Sequence, residues 1–135
     1  MIVVDATVVP FLFIEGEMTQ SAKELFQRDA EWVTPPILNH EMLSILAVVG
    51  SADQVVEPLE EVWRHIRSLI GPRQQVPDPL LALRIAVELQ ISGVHGQYLA
   101  LAEQLNLPLV TEDRKLRELV PQRCFSIDEA LNRLT

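Results

Sequence analysis

The stretch Met1–Asp5, "MIVVD", decides how the rest of the chain is read. Ile2, Val3 and Val4 are consecutive β-branched residues with no polar alternation, which suits a strand buried on both faces of a parallel sheet. Asp5 closes the run. The segments that follow alternate between helical and strand patterns, as a parallel sheet demands.

A helix is expected from Thr7, with Thr7 as its cap and Pro10 in its first turn, where a missing N–H costs little. "EGEMTQ" (15–20) breaks that pattern. From Ser21, "SAKELFQRDAEW" sets Ala22, Leu25, Phe26 and Ala30 at helical spacing, and "VTPP" (33–36) reads as a short strand closed by prolines. "ILNHEMLSILAVVG" (37–50) is apolar on most sides and is expected to be a well-buried helix ending at Gly50. "SADQVVEPLEEVWRHIRSLIG" (51–71) carries a Ser51 cap and a terminal glycine, with Pro58 marking a kink or a boundary between two helices.

After the connector "PRQQVPDP" (72–79), two helices follow, "PLLALRIAVELQ" (79–90) and "SGVHGQYLALAEQLN" (92–106), the second capped by Ser92. "LPLVTED" (107–113) is a buried strand, "DRKLRELV" (113–120) a short helix and "RCFSI" (123–127) a last strand. "DEALNRLT" (128–135) is a terminal helix capped at Ser126 or Asp128. The order predicts one α/β domain over 1–135, a three-layer α/β/α sandwich whose central sheet is mostly parallel.

Bulk properties narrow the function. A chain of 135 residues is large enough to bury about two-thirds of its unfolded surface and fold without staples. With 48% apolar and 22% charged residues it is globular, and no stretch is long and uncharged enough to span a bilayer. Asp5 interrupts the apolar N-terminus and no basic segment precedes it, so the run fails as a secretory signal. Cys124 is the single cysteine, which excludes an intramolecular disulfide and a thiol zinc cluster and suits a reducing cytoplasm. The net charge of −8 excludes a surface that grips nucleic acid by charge alone. Such a partner would need a local basic patch or metal ions.

In open α/β sheets, sites lie beyond the carboxyl ends of the strands. Asp5 ends "MIVVD" and Asp113 ends "LVTED", so the two carboxylates are candidates to meet at one rim. Glu41 is a third, set early in its helix among Leu38, Met42 and Leu43, where a charge is expensive unless compensated. Singly, each has a plain alternative: Asp5 caps the Thr7 helix, Asp113 caps "RKLREL", and Glu41 pairs with an arginine. Together, three acids in corresponding topological places point to a site. Clustered carboxylates are usually compensated by a hard divalent cation, and such an ion activates water for phosphodiester hydrolysis.

The chain resembles the PIN-domain ribonucleases, especially the VapC-type toxins of toxin–antitoxin pairs. The resemblance covers nearly the whole length and rests on "IVVDAT" (2–7), "PPILNHEMLSIL" (35–46) and "ISGVHGQYLALAEQLNLPLVTEDRKL" (91–116). It implies a PIN-like fold with Asp5, Glu41 and Asp113 as metal-site acids and Thr7 and Thr111 as supporting hydroxyls. It further implies a cytoplasmic endoribonuclease dependent on Mg2+ or Mn2+, often homodimeric and held inactive by a VapB-like antitoxin. Two positions depart from the family pattern. Val94-His95-Gly96 stands where an acid is usual, and Ser44 stands where an asparagine is often found.

His95 therefore occupies the expected fourth corner. With Ser92 as cap it falls in the first turn of its helix, where the dipole favours neutral imidazole while neighbouring carboxylates favour imidazolium. Three readings follow. A neutral His95 ligates a cation or orients its water, with manganese preferred over magnesium. A protonated His95 pairs with Asp5, Glu41 or Asp113 and replaces the cation, leaving a module that binds RNA or a protein without cutting. In the third, His95 simply points to water. Gly93 and Gly96 flank it, and each costs about 1 kcal/mol inside a helix relative to alanine, so a close neighbour is expected to require them.

Arg64, Arg67, Arg73 and Arg84 concentrate positive charge mid-chain, as a phosphate-binding lip or as solvated helix faces. His40 and His65 read as structural or solvated. Leu59, Val62, Trp63, Ile66 and Ile70 form a stripe that suits a core. Tyr98, one turn after His95, either brings its hydroxyl to the site or is a buried aromatic bonded to a backbone carbonyl.

Overall fold

The computed structural model describes residues 1–51 and 58–133. Four strands, β1 (Ile2–Val4), β2 (Trp32–Val33), β3 (Leu109–Val110) and β4 (Cys124–Phe125), form one sheet in the order β2-β1-β3-β4. All four run parallel: Val3 lies opposite Val33 and Leu109, Val4 opposite Val110, and Val110 opposite Phe125. The helices are α1 (Thr19–Arg28), α2 (Ile37–Ser51), α3 (Leu59–Ile70), α4 (Pro79–Leu89), α5 (Gly93–Leu105), α6 (Arg114–Leu119) and α7 (Ile127–Arg133). They cover both faces of the sheet, so the chain is a three-layer α/β/α sandwich.

The two faces follow from the two-residue period of a strand. Ile2 and Val4 point into one core with Ala22 and Leu25 of α1, Leu38 and Met42 of α2, Ile66 and Ile70 of α3, and Ala130 of α7. Val3 points the other way, with Val33, Leu109 and Cys124, towards Tyr98, Leu99 and Ala102 of α5 and Leu116 of α6. The stripe on α3 is core as expected: Val62, Ile66 and Ile70 are buried, with Leu59 and Trp63 packed beside them. His65 meets the edge of Phe13, with ring centroids 5.3 Å apart.

Caps set the helix ends. Ser92 accepts from His95 N at 3.1 Å, and α5 ends at Asn106, whose left-handed backbone has φ 53°. Ser126 and Glu129 form a reciprocal box at the start of α7, each side chain accepting from the other's backbone N–H at 3.1 Å. Pro58 caps α3 and so marks a boundary rather than a kink. The expected continuation of that helix from Ser51 falls on residues 52–57, outside the described residues.

Two expectations need correction. No regular helix starts at Thr7; a 3-10 turn spans Val9–Leu12 instead, and the Thr7 hydroxyl oxygen accepts from Glu112 N rather than from a helix N–H. α2 is not buried on most sides either. Leu38, Met42 and Leu46 are buried, whereas Leu43 and Val48 are exposed, since the other layers cover only one stripe of the helix. No helix among the described residues is long and apolar enough to cross a membrane.

Candidate active site at the carboxyl edge of the sheet

β1 and β3 are neighbours in register, so the residues that follow them emerge side by side. These are Asp5 and Thr111. Asp5 is only 3% exposed, and both of its carboxylate oxygens are taken by hydroxyls. Thr7 Oγ1 donates to Oδ1 at 2.5 Å, joined by Thr7 N at 2.9 Å, and Thr111 Oγ1 donates to Oδ2 at 2.5 Å. Each hydroxyl is fixed in turn by a backbone donor: Glu112 N reaches Thr7 Oγ1 at 2.7 Å, and Asp113 N reaches Thr111 Oγ1 at 3.0 Å. Both threonines thus stand at the Asp5 carboxylate.

Every hydrogen-bond donor to Asp5 is neutral. Burial pushes its carboxyl above the usual range, the hydroxyl and N–H bonds of Thr111 and Thr7 pull it part of the way back, and the charge of Glu41 pushes it up again. Glu41 is half-buried on α2 and accepts from the Tyr98 hydroxyl at 2.7 Å. Burial, with Glu41 second, drives the Tyr98 phenol far above its normal ionisation range, so it remains a fixed donor. Glu41 thereby has a tyrosine rather than the arginine its plain alternative assigned it.

Asp113 takes its plain alternative, the cap of α6, and turns its second oxygen to His95. Oδ1 caps α6 by accepting from Leu116 N at 3.1 Å, while Oδ2 faces His95 Nε2 at 3.5 Å. His95 therefore addresses Asp113 rather than pointing only to water. Through the Asp113 N–H on Thr111, this pair joins the Asp5 cluster.

The arginines do not share a target. Arg64 pairs with Glu61 on its own helix, and Arg73 donates to the carbonyls of Ala30 at 3.0 Å and Leu69 at 2.8 Å. Arg67 donates to Asn39 Oδ1 at 3.0 Å and Gln74 Oε1 at 2.7 Å, and Arg84 stands exposed on α4.

Two residues gain roles that sequence reasoning missed or left undecided. Glu112 lies between Thr111 and Asp113, and its Oε2 accepts from Ile127 N at 2.8 Å, tying the site loop to α7. The period of two at the end of β3 was the available signal. Gly96 is required by packing: a Cβ there would stand 2.5 Å from the carbonyl oxygen of Ala82 on α4. Gly93 has no such need, since a Cβ would meet nothing within 4 Å.

The donor chemistry fits a hard divalent cation, being oxygen-rich with neutral supports around two neighbouring carboxylates. The acids are not drawn into one cage, however. Among the described residues no three His, Cys, Asp or Glu side chains group closely enough to hold a metal ion.

No family profile and no curated protein matches the chain. Among solved structures, the crystal structure of PAE2754 from Pyrobaculum aerophilum superposes with a TM-score of 0.74, at 23% identity, over 98% of this chain and 94% of that one. The likeness is one of fold.

Proposed function

We propose that the chain is a divalent-cation-dependent endoribonuclease of the VapC-like PIN type, acting at the Asp5 edge of the sheet. One observation carries this reading: Asp5 is a buried carboxylate beside Glu41, supported only by neutral donors. A buried anion without a cationic partner is costly, and here the cost falls at the position where α/β sheets bind ligands.

In this reading Asp5, Glu41 and Asp113 would be drawn closer together to hold Mg2+ or Mn2+, with His95 beside Asp113. A bound ion would supply activated water and charge neutralisation at the phosphate. Thr7 and Thr111 fix the orientation of both Asp5 oxygens. Tyr98 holds Glu41 towards Asp5 and, because it stays protonated, never competes as an anion. Glu112 anchors the loop carrying Thr111 and Asp113. The partners that belong to this reading are RNA, a VapB-like antitoxin and a second copy of the chain, in the cytoplasm.

The contact between His95 Nε2 and Asp113 Oδ2 at 3.5 Å favours a second reading. A protonated imidazole there compensates Asp113 without a metal, and the domain binds RNA or a protein without cleaving.

The test is RNA cleavage by chelator-treated protein resupplied with magnesium or manganese, comparing wild type, Asp5→Asn and His95→Asp. The nuclease reading expects cleavage by wild type that Asp5→Asn abolishes. Wild type inert with both ions, with activity gained in His95→Asp, selects the second reading. Cleavage that survives Asp5→Asn removes this site from consideration.

A further inference from the structure

The parallel strands have a second rim. Pro108 precedes β3 and Arg123 precedes β4, so both lie at the amino edge, the opposite end of the sheet from Asp5. A cavity of about 320 Å³ opens there. Its apolar wall is Ile2, Val110, Phe125 and Ala130, all of them buried residues, and its charged groups are Arg123 and Arg133. A cavity of this size, largely apolar with a few polar groups converging on it, has the character of a small-molecule site.

The charges specify the ligand. No carboxylate lines the cavity, although the chain carries 19 acids against 11 lysines and arginines. Both guanidiniums are held, and neither is neutralised. Arg123 Nη1 donates to the carbonyls of Ala102 at 3.1 Å and Leu107 at 2.9 Å, which leaves Nε and Nη2 without an acceptor among the described residues. Arg133 lies over the Phe125 ring, with its guanidinium carbon 4.1 Å from the centroid. Glu129, one turn before Arg133, faces Arg117 at 3.8 Å and accepts from Ser126 N. α5 and α7 both end beside the cavity, and each helix end brings roughly half a negative charge. Two full guanidinium charges outweigh these.

We propose that this cavity binds a small organic monocarboxylate, with its apolar body against Ile2, Val110 and Phe125 and its carboxylate on Arg123 and Arg133. A guanidinium presents paired N–H donors that match the two oxygens of a carboxylate. The single charge matters as well. A chain of net charge −8 repels an approaching dianion, such as a phosphate monoester, more strongly than a monoanion. The cavity is remote from the Asp5 edge, and its ligand does not depend on the nuclease reading.

Isothermal titration calorimetry on the full chain tests it with benzoate and naphthoate. Naphthamide supplies the same body without the charge, and inorganic phosphate supplies charge without the body. Naphthoate is expected to bind saturably and more tightly than benzoate, because it buries more apolar surface. Naphthamide is expected to bind at least about tenfold more weakly, as for loss of a charge-assisted hydrogen bond, and phosphate not measurably. Arg133→Gln and Gln122→Glu, the second placing an acid in the lining, should each weaken naphthoate by roughly tenfold. Both positions are exposed, and circular dichroism checks that the variants fold. Arg123 is kept, because its Nη1 secures two backbone carbonyls. Amide chemical shifts on titration with naphthoate should move at Leu107, Arg123 and Arg133. Failure of both carboxylates to bind overturns the proposal. Naphthamide binding as tightly as naphthoate, indifference to both substitutions, or shifts centred elsewhere overturn it as well.

Discussion

The Tyr98 hydroxyl on α5 donates to Glu41 Oε1 on α2 at 2.7 Å, linking helices that pack on opposite faces of the sheet. The bond closes over the end of β1, where Asp5 emerges. Tyr98→Phe keeps the ring and deletes this donor, leaving a half-buried carboxylate without it. The expected cost is about 1 to 2 kcal/mol of folding stability, read by chemical denaturation. Under the proposed nuclease reading RNA cleavage should fall as well, because Glu41 loses its orientation; cleavage unchanged by the substitution would show that the tyrosine serves packing alone.

Asp5 is expected to oppose stability at neutral pH. Its folded-state carboxyl titrates above the unfolded value of about 3.8, so on acidification the native state takes up this proton first. Native stability therefore gains from Asp5 as pH falls through the raised value and loses as pH rises through it. In chelator-treated protein, Asp5→Asn should be more stable than wild type at neutral pH. That advantage should shrink towards the ordinary carboxylate range. Denaturation at several pH values checks both points, and an advantage that grows on acidification contradicts the expected sign.

Cation binding has a stability readout that needs no substrate. An ion held by the native site alone stabilises by about 2.7 kcal/mol when present at a hundred times its dissociation constant. Thermal unfolding of wild type should shift upward with added manganese or magnesium, and Asp5→Asn should show little or no shift. Equal shifts in both proteins would place any bound ion elsewhere.

The glycines that flank His95 should respond in opposite directions. Gly96→Ala drives a Cβ to within 2.5 Å of the Ala82 carbonyl and should separate α4 from α5, at a cost of roughly 1 to 3 kcal/mol. Gly93→Ala enters open space in the first turn of α5 and should stabilise by about 0.4 to 1 kcal/mol. Paired denaturation curves settle the contrast.

The order of strands and helices was legible because β-branched runs, caps and breaks are local signals. Asp5 was legible as the acid that ends the first strand, whereas Thr7 and Thr111 came only with the family resemblance. The fate of Asp113 was half legible. Its cap of α6 is a local bond to Leu116 N that the sequence reading offered, whereas the approach of its other oxygen to His95 depends on where α5 packs. Thr7 misled because a threonine near a proline suits a cap, whereas its oxygen accepts from Glu112 N, a donor 105 positions away. The partner of Glu41 lies 57 residues away, and no local pattern selects Tyr98 over an arginine.

The hydroxyl that secures Asp5 belongs to a residue 106 positions later in the chain. During synthesis Asp5 leaves the ribosome well before Thr111, Glu112 and the α7 backbone that anchors them. Nascent chains and N-terminal fragments thus carry Asp5 and Glu41 without the framework that orients them. Whatever chemistry the site performs, it is assembled only after the chain has been made through α7.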